Sequence, residues 1–151
     1  MPNDDPTAAR RRWMAVLARA DRAMIEARLQ DGPPLPAHVR LRGPESGLVM
    51  VRGRAGGTGA PFNLGEMSVT RCSVRLPGGQ VGHAYVAGRD QRQAELAAVL
   101  DAWLQDPDHA PRLQQAVIAP LEAAQRARRA ERTGKAAATR VQFFAMQAMR
   151  S

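Results

Sequence analysis

The sequence has little cysteine and no long apolar run, and each shortage excludes a class of protein. The single cysteine, Cys72, excludes an intrachain disulfide and cannot supply the four thiolates that usually hold an iron–sulfur cluster. No stretch approaches the ~20 consecutive apolar residues of a membrane-spanning helix. The first six residues show no charged-then-apolar signal pattern. We therefore expect a cytoplasmic chain that binds no cofactor and no membrane.

Histidine and aromatic residues are also scarce. His38, His83 and His109 are far apart and lack the spacing of metal ligands, so no metal site is predicted. His83 and Tyr85 share a predicted strand face, but a strand histidine without a paired carboxylate is more typical of a structural hydrogen bond. An aromatic content of 4% argues against a sheet that stacks nucleic-acid bases. No catalytic residue is predicted.

Positive charge is what the chain has in excess. Its 151 residues include 22 basic and 14 acidic side chains, a formal net charge of +8. This length predicts a single domain, residues 1–151, that can bury a core. The charge predicts a polyanionic partner, which leaves nucleic acid, a phosphorylated ligand or an acidic protein surface open.

The middle of the chain predicts an antiparallel meander. Apolar, β-branched runs flank a glycine-rich loop at residues 54–61, and a second turn at Pro77-Gly78-Gly79 precedes another such run. Short glycine turns join adjacent antiparallel strands, whereas parallel strands need long crossovers. The predicted strands are 39–42, 48–54, 61–64, 67–76 and 80–87.

Helical patterns surround this sheet, so the predicted fold is α+β: N-terminal helices, a central antiparallel β-sheet meander and C-terminal helices. One helix begins at Asp5-Pro6-Thr7 and a second at Asp21. The clearest runs from Asp90 to about Leu104, with apolar residues at helical spacing. A short helix at 112–118 and a longer one from Pro120 follow, and Gly134 is expected to break the latter.

The glycine-rich loop is the first candidate site. Its glycines would let backbone amides approach a phosphate, and nearby arginines could neutralise the charge. However, no Gly-Lys-Ser/Thr follows, so it is not a P-loop, and a wide or bulged hairpin turn needs the same glycines. A structural turn, a partner contact and a phosphate site all remain open. The candidate phosphate ligands are Arg52, Arg54, Gly56, Gly57, Gly59 and Arg71.

The C-terminal segment, residues 135–151, is the second candidate. It follows an arginine-rich stretch and is apolar on two adjacent stripes, which one surface cannot easily cover. Exposed apolar patches mark interfaces, so this segment is predicted to be a partner-binding helix. Its predicted contact residues are Val141, Phe143, Phe144, Met146 and Met149.

Several runs of sequence together resemble one family. They are GLVMVRGRAGGTGAPFNLGEMSVTRCSVRL at 47–76, GHAYVAGRD at 82–90, WMAVLA at 13–18, IAPL at 118–121 and ATRVQFFAM at 138–146. They look like PhnG, the G subunit of the carbon–phosphorus lyase system. The resemblance covers nearly the whole chain.

The resemblance implies an accessory subunit in phosphonate degradation. PhnG-like subunits assemble with PhnH-, PhnI- and PhnJ-like subunits, two copies of each. With a further PhnL-like ATPase, this machinery joins methylphosphonate to ribose C1 of ATP and displaces adenine. The product is alpha-D-ribose 1-methylphosphonate 5-triphosphate. Nucleosidase activity is attributed to the I subunit and radical C–P cleavage to the J subunit. The alternatives are a small basic nucleic-acid-binding protein and an autonomous nucleotide-processing enzyme.

Overall fold

The computed structural model of the chain describes residues 5–57 and 59–150. Three parts of the sequence lie outside the described residues. They are residues 1–4 of the N-terminal stretch that was searched for a signal pattern, Thr58 of the glycine-rich loop, and residue 151. The elements are α1 (Pro6–Arg19), α2 (Arg22–Leu29), β1 (Val39–Arg54), β2 (Pro61–Arg75), β3 (Val81–Ala87), α3 (Gln91–Trp103), α4 (Ala110–Leu113) and α5 (Ala119–Met149). A 3₁₀ turn, Ala55–Gly57, follows β1, and a π-helical turn, Gln114–Ile118, joins α4 to α5. The predicted α+β class is confirmed.

The sheet is the predicted meander, with strand order β1-β2-β3 and both pairs antiparallel. The predicted strands at 39–42 and 48–54 are in fact one strand, and those at 61–64 and 67–76 also merge. At the irregular residues the pairing of β1 with β2 shifts in register, and both strands continue beyond each shift. Near Pro44, Gly43 takes a φ of +64° at such a shift, and β1 is an edge strand, which tolerates proline.

Helix α3 forms the centre of the core. Asp90 caps it by accepting a hydrogen bond from the Gln93 backbone N–H at 3.0 Å, as the sequence predicts. Every residue from Ala94 to Trp103 is buried. The helix packs on the inward side chains of β2 and β3, and Gly82 permits this close approach, since a Cβ there would clash with the Ala98 carbonyl oxygen. The inward apolar side chains of the two strands include Cys72, Val74, Ala84 and Val86.

Helix α5 leaves this core and continues outward. It runs through Gly134, so the predicted break there is wrong. A glycine costs a helix only about 1 kcal/mol relative to alanine, and the alanine- and arginine-rich neighbours favour the helix. The predicted short helix at 112–118 is also corrected, because Ala110–Leu113 and the π-helical turn lead into α5 without a gap. Among the described residues, no helix is long and apolar enough to cross a membrane.

Candidate functional site

The described part of the chain contains no group of three or more His, Cys, Asp or Glu side chains that could hold a metal ion. The groups that most resemble a reactive centre are two buried carboxylates on α3, Glu95 and Asp101. The contacts of each decide whether it is available for chemistry.

Asp101 is fully buried, and its carboxylate is saturated with hydrogen bonds. Arg10 donates through Nε at 3.1 Å and Nη2 at 2.8 Å, and Trp13 donates through Nε1 at 2.8 Å. The backbone N–H of His83 donates a fourth bond at 2.9 Å. Four bonds match the roughly four acceptor sites of a carboxylate. Asp101 therefore joins α1 and β3 to α3 and has no capacity left to act as a base.

Glu95 joins the start of β1 to α3 in the same way. Arg40 binds its two carboxylate oxygens at 3.0 and 2.9 Å, and His38 Nε2 lies 2.8 Å from Oε1. Hydrogen bonds from Arg40 hold the pKa of Glu95 below its usual value, against the opposing effect of burial and with a smaller contribution from His38. Nearby, burial raises the pKa of the Cys72 thiol, which makes it a poor nucleophile.

The lowered pKa of Glu95 predicts a pH-dependent contribution to stability. A carboxylate with a depressed folded-state pKa stabilises the fold above its unfolded pKa, about 4.3 for Glu, and this contribution disappears as the pH falls through the folded-state value. Between about pH 5 and pH 3, the free energy of unfolding should therefore fall less steeply in Glu95→Gln than in wild type. Urea unfolding at each pH measures this. The exposed Glu26→Gln is the control, and equal slopes for wild type and Glu95→Gln would contradict the assignment.

His83 lies on the exposed face of the sheet. Its Nδ1 is 2.8 Å from the Ser73 hydroxyl, directly across from it on β2. Tyr85 lies on the same face and is exposed. No carboxylate is within hydrogen-bond distance of the His83 ring in the described residues, so this pair is a cross-strand contact that holds β3 to β2.

The candidate phosphate ligands do not form one group. Arg52 and Arg54 lie beside the turn between β1 and β2, where Gly56 and Gly57 have φ values of +64° and +76° that favour glycine. Arg71 lies eight residues along β2 from Asn63, the cross-strand partner of Arg52, which is about 26 Å. Its Nε is bonded to Glu45 Oε1 at 2.6 Å. The positive φ values give Gly56 and Gly57 a role in the turn, and Arg71 belongs to another part of the sheet.

The outer part of the β1–β2 hairpin is a surface that the sequence did not predict. Residues 48–54 and 61–68, here called the ribbon, extend past the Val69–Ala87 pair at which β3 ends. Two paired strands alone are marginally stable in water. Both faces of the ribbon nevertheless carry exposed apolar side chains: Leu48, Met50, Val51, Phe62, Leu64 and Met67. The feature of the sequence that could have indicated this surface is the length of its apolar segments. Strands β1 and β2 have 16 and 15 residues, whereas β3 has seven and cannot cover them both to their ends.

The C-terminal part of α5 is the second exposed apolar surface. Every described residue from Arg126 onward is exposed. The five predicted contact residues have exposed fractions between 61% and 89%. Phe143 and Phe144 meet each other edge to face, with ring centroids 6.5 Å apart. Neither stripe packs on the sheet, and both are exposed in the structure.

Comparison with known proteins identifies the family. Residues 8–149 match the sequence model of the family described as "Phosphonate metabolism protein PhnG". The chain is also similar to a protein of Rhizobium meliloti (strain 1021), the alpha-D-ribose 1-methylphosphonate 5-triphosphate synthase subunit PhnG. The two are 46% identical over 147 residues, which is 95% of this chain and 92% of the relative. The match spans α1 to α5, and the chain therefore belongs to the PhnG family of phosphonate metabolism proteins.

Proposed function

We propose that this chain is an accessory subunit of a carbon–phosphorus lyase core complex. The complex forms alpha-D-ribose 1-methylphosphonate 5-triphosphate from ATP and methylphosphonate in phosphonate degradation, and other subunits supply the chemistry. The observation that supports this role is a contrast between the buried carboxylates, which are fully bonded within the fold, and the apolar side chains, many of which are exposed. Asp101 and Glu95 are occupied by structural contacts, whereas the ribbon and the end of α5 expose apolar side chains to solvent.

The proposed partners are PhnH-, PhnI- and PhnJ-like subunits, with two copies of each subunit in the complex and a PhnL-like ATPase acting in the same pathway. The relative's name, a synthase subunit, supports such an assembly. We place the complex in the cytoplasm and treat the chain as one domain. Residues 135–151 of that domain bind the partner, and Phe143 and Met146 lie at the centre of the contact.

The ribbon is proposed as a second contact with the complex. Leu48 and Met50 lie on one of its faces and Met67 on the other, and all three are exposed. The ribbon protrudes and has apolar residues on both faces. A subunit that covered it would bury these side chains and so stabilise the two strands. Arg52 and Arg54 lie beside the turn and have no ion-pair partner among the described residues, and they would then meet the partner or its substrate.

The isolated chain is expected to be catalytically silent. Purified protein incubated with ATP and methylphosphonate should release no adenine above the rate without protein, because Asp101 and Glu95 are held by structural hydrogen bonds and no carboxylate among the described residues lies beside His83. The control is the reconstituted complex with the PhnL-like ATPase, which should release adenine from the same substrates. Adenine release by the chain alone at an enzyme-like rate would contradict the accessory role.

A further inference from the structure

One face of α5 carries positive charge along its first half and apolar side chains along its second. Because residues three and four positions apart lie on the same side of a helix, a single line of side chains runs along it. Its members are Arg128, Arg132, Lys135, Thr139, Phe143, Met146 and Arg150. The helix is continuous over this span, so the distance from Arg128 to Met146 is about 27 Å.

The charge on this helix is concentrated and largely uncompensated. Residues 125–150 contain seven basic side chains and one acidic side chain, Glu131, and so hold +6 of the chain's net +8. Lys135 pairs with Glu131 at 3.2 Å, and Arg128 reaches Asp21 only at 3.8 Å. Arg129 and Arg132 have no ion-pair partner among the described residues. Like charges this close on one helix destabilise it unless something neutralises them.

A groove lies beside the basic half of this face. It has a volume of about 500 Å³ and is lined by Arg19 from α1 together with Gln125, Arg128, Arg129 and Arg132 from α5. Arg19 has no acidic partner in the described part of the chain. Arginines from two elements therefore line one site. Such a site can bind several carboxylates at once, whereas a lone arginine would form a single ion pair.

We infer that this face, together with Arg129 in the groove beside it, docks into a groove on another subunit that is acidic opposite Arg129 and Arg132 and apolar opposite Phe143 and Met146. This inference rests on the proposed function and gives the chemistry of the partner surface. A protein is favoured over nucleic acid because arginine, methionine and aromatic residues together are the composition of protein interfaces. An amphipathic helix in a groove is also a common way to join two proteins. A phosphate backbone would neutralise the arginines but leave Met146 exposed.

The test is a charge reversal in the full-length chain, Arg129→Glu with Arg132→Glu. We expect capture of the PhnH-, PhnI- and PhnJ-like subunits to weaken at least 10-fold at low salt. The melting temperature should be no lower than that of wild type, because both side chains are exposed and the substitutions relieve like-charge repulsion on the helix. Salt screens surface charges. Raising it should therefore weaken capture by wild type and strengthen capture by the variant. The matched control is Arg11→Glu with Arg112→Glu, which changes the net charge equally at exposed arginines outside this face and should alter capture less than 2-fold.

The outcomes separate this inference from the proposed function. If the Arg129→Glu, Arg132→Glu chain captures the subunits as wild type does, with the same salt dependence, the inference of an acidic groove on the partner is wrong. Loss of capture on truncation before Val141 would still support the proposed function in that case. Binding of a single-stranded DNA of about 30 nucleotides that disappears in the variant, while subunit capture persists, would assign the basic face to nucleic acid and overturn the inference.

Discussion

Removing the chain from Val141 onward should abolish capture of the PhnI-like subunit and leave the fold intact. The side chains lost include Phe143, Phe144 and Met146, all more than 60% exposed, so their removal opens no cavity in the core. Central aromatic residues at protein interfaces often contribute about 2 kcal/mol or more each, and two such losses correspond to roughly 1,000-fold in affinity. The measurements are pull-down of the partner and thermal melting of the isolated chain, whose melting temperature should move by less than about 2 °C.

A full-length variant pair controls for the shortened helix. Phe143→Ser with Met146→Ser should reproduce most of the loss of capture, whereas Ala138→Ser with Ala145→Ser, which does not touch Phe143 or Met146, should bind nearly as wild type does. Two results would contradict the role assigned to this segment. A truncated chain that captures its partner at full yield would show that the interface lies elsewhere. A truncated chain that unfolds would show that the segment belongs to the core.

Asp101→Ala should be the most destabilising single polar substitution in the described core. It would leave the Trp13 indole N–H and the His83 backbone N–H without their acceptor and would strip Arg10 of its bidentate partner. Breaking a buried charged network by removing one member costs about 3–5 kcal/mol, and this is the expected fall in the free energy of unfolding measured in urea.

The control for this prediction is Asp108→Ala. Asp108 is exposed, and its carboxylate makes no hydrogen bond within the described residues, so a change below about 0.5 kcal/mol is expected. A loss below 1 kcal/mol in Asp101→Ala would show that water or local movement satisfies the abandoned donors. The interpretation of Asp101 as the link between α1, β3 and α3 would then be wrong.

The local patterns that sequence analysis uses account for the parts of the fold that were predicted. Helix α3 was predicted because apolar residues recur at helical spacing over its whole length and Asp90 supplies the cap. The meander was predicted because the turn before β3 contains consecutive glycines. Each of these signals lies within about 15 residues of sequence. The break at Gly134 was wrong because a single glycine is a weak signal against strong helix-forming neighbours.

What the sequence could not provide is the long-range pairing. Asp101 is bonded to residues 91 and 88 positions away, and Glu95 to one 57 positions away, and no periodicity marks such partners. The exposed ribbon was missed for a related reason. Alternation predicts which side chains share a face, but only the register with β3 shows where the third strand ends and the apolar faces lose their cover.

The most direct test of the account is the composition of the native assembly. The full-length chain should be purified under native conditions from cells that are degrading methylphosphonate, and its companions identified by mass. The account predicts that PhnH-, PhnI- and PhnJ-like subunits remain with it through gel filtration, with two copies of each subunit. A chain that purifies alone, or only with nucleic acid, would contradict the central claim that it works as a subunit of the phosphonate-degrading complex.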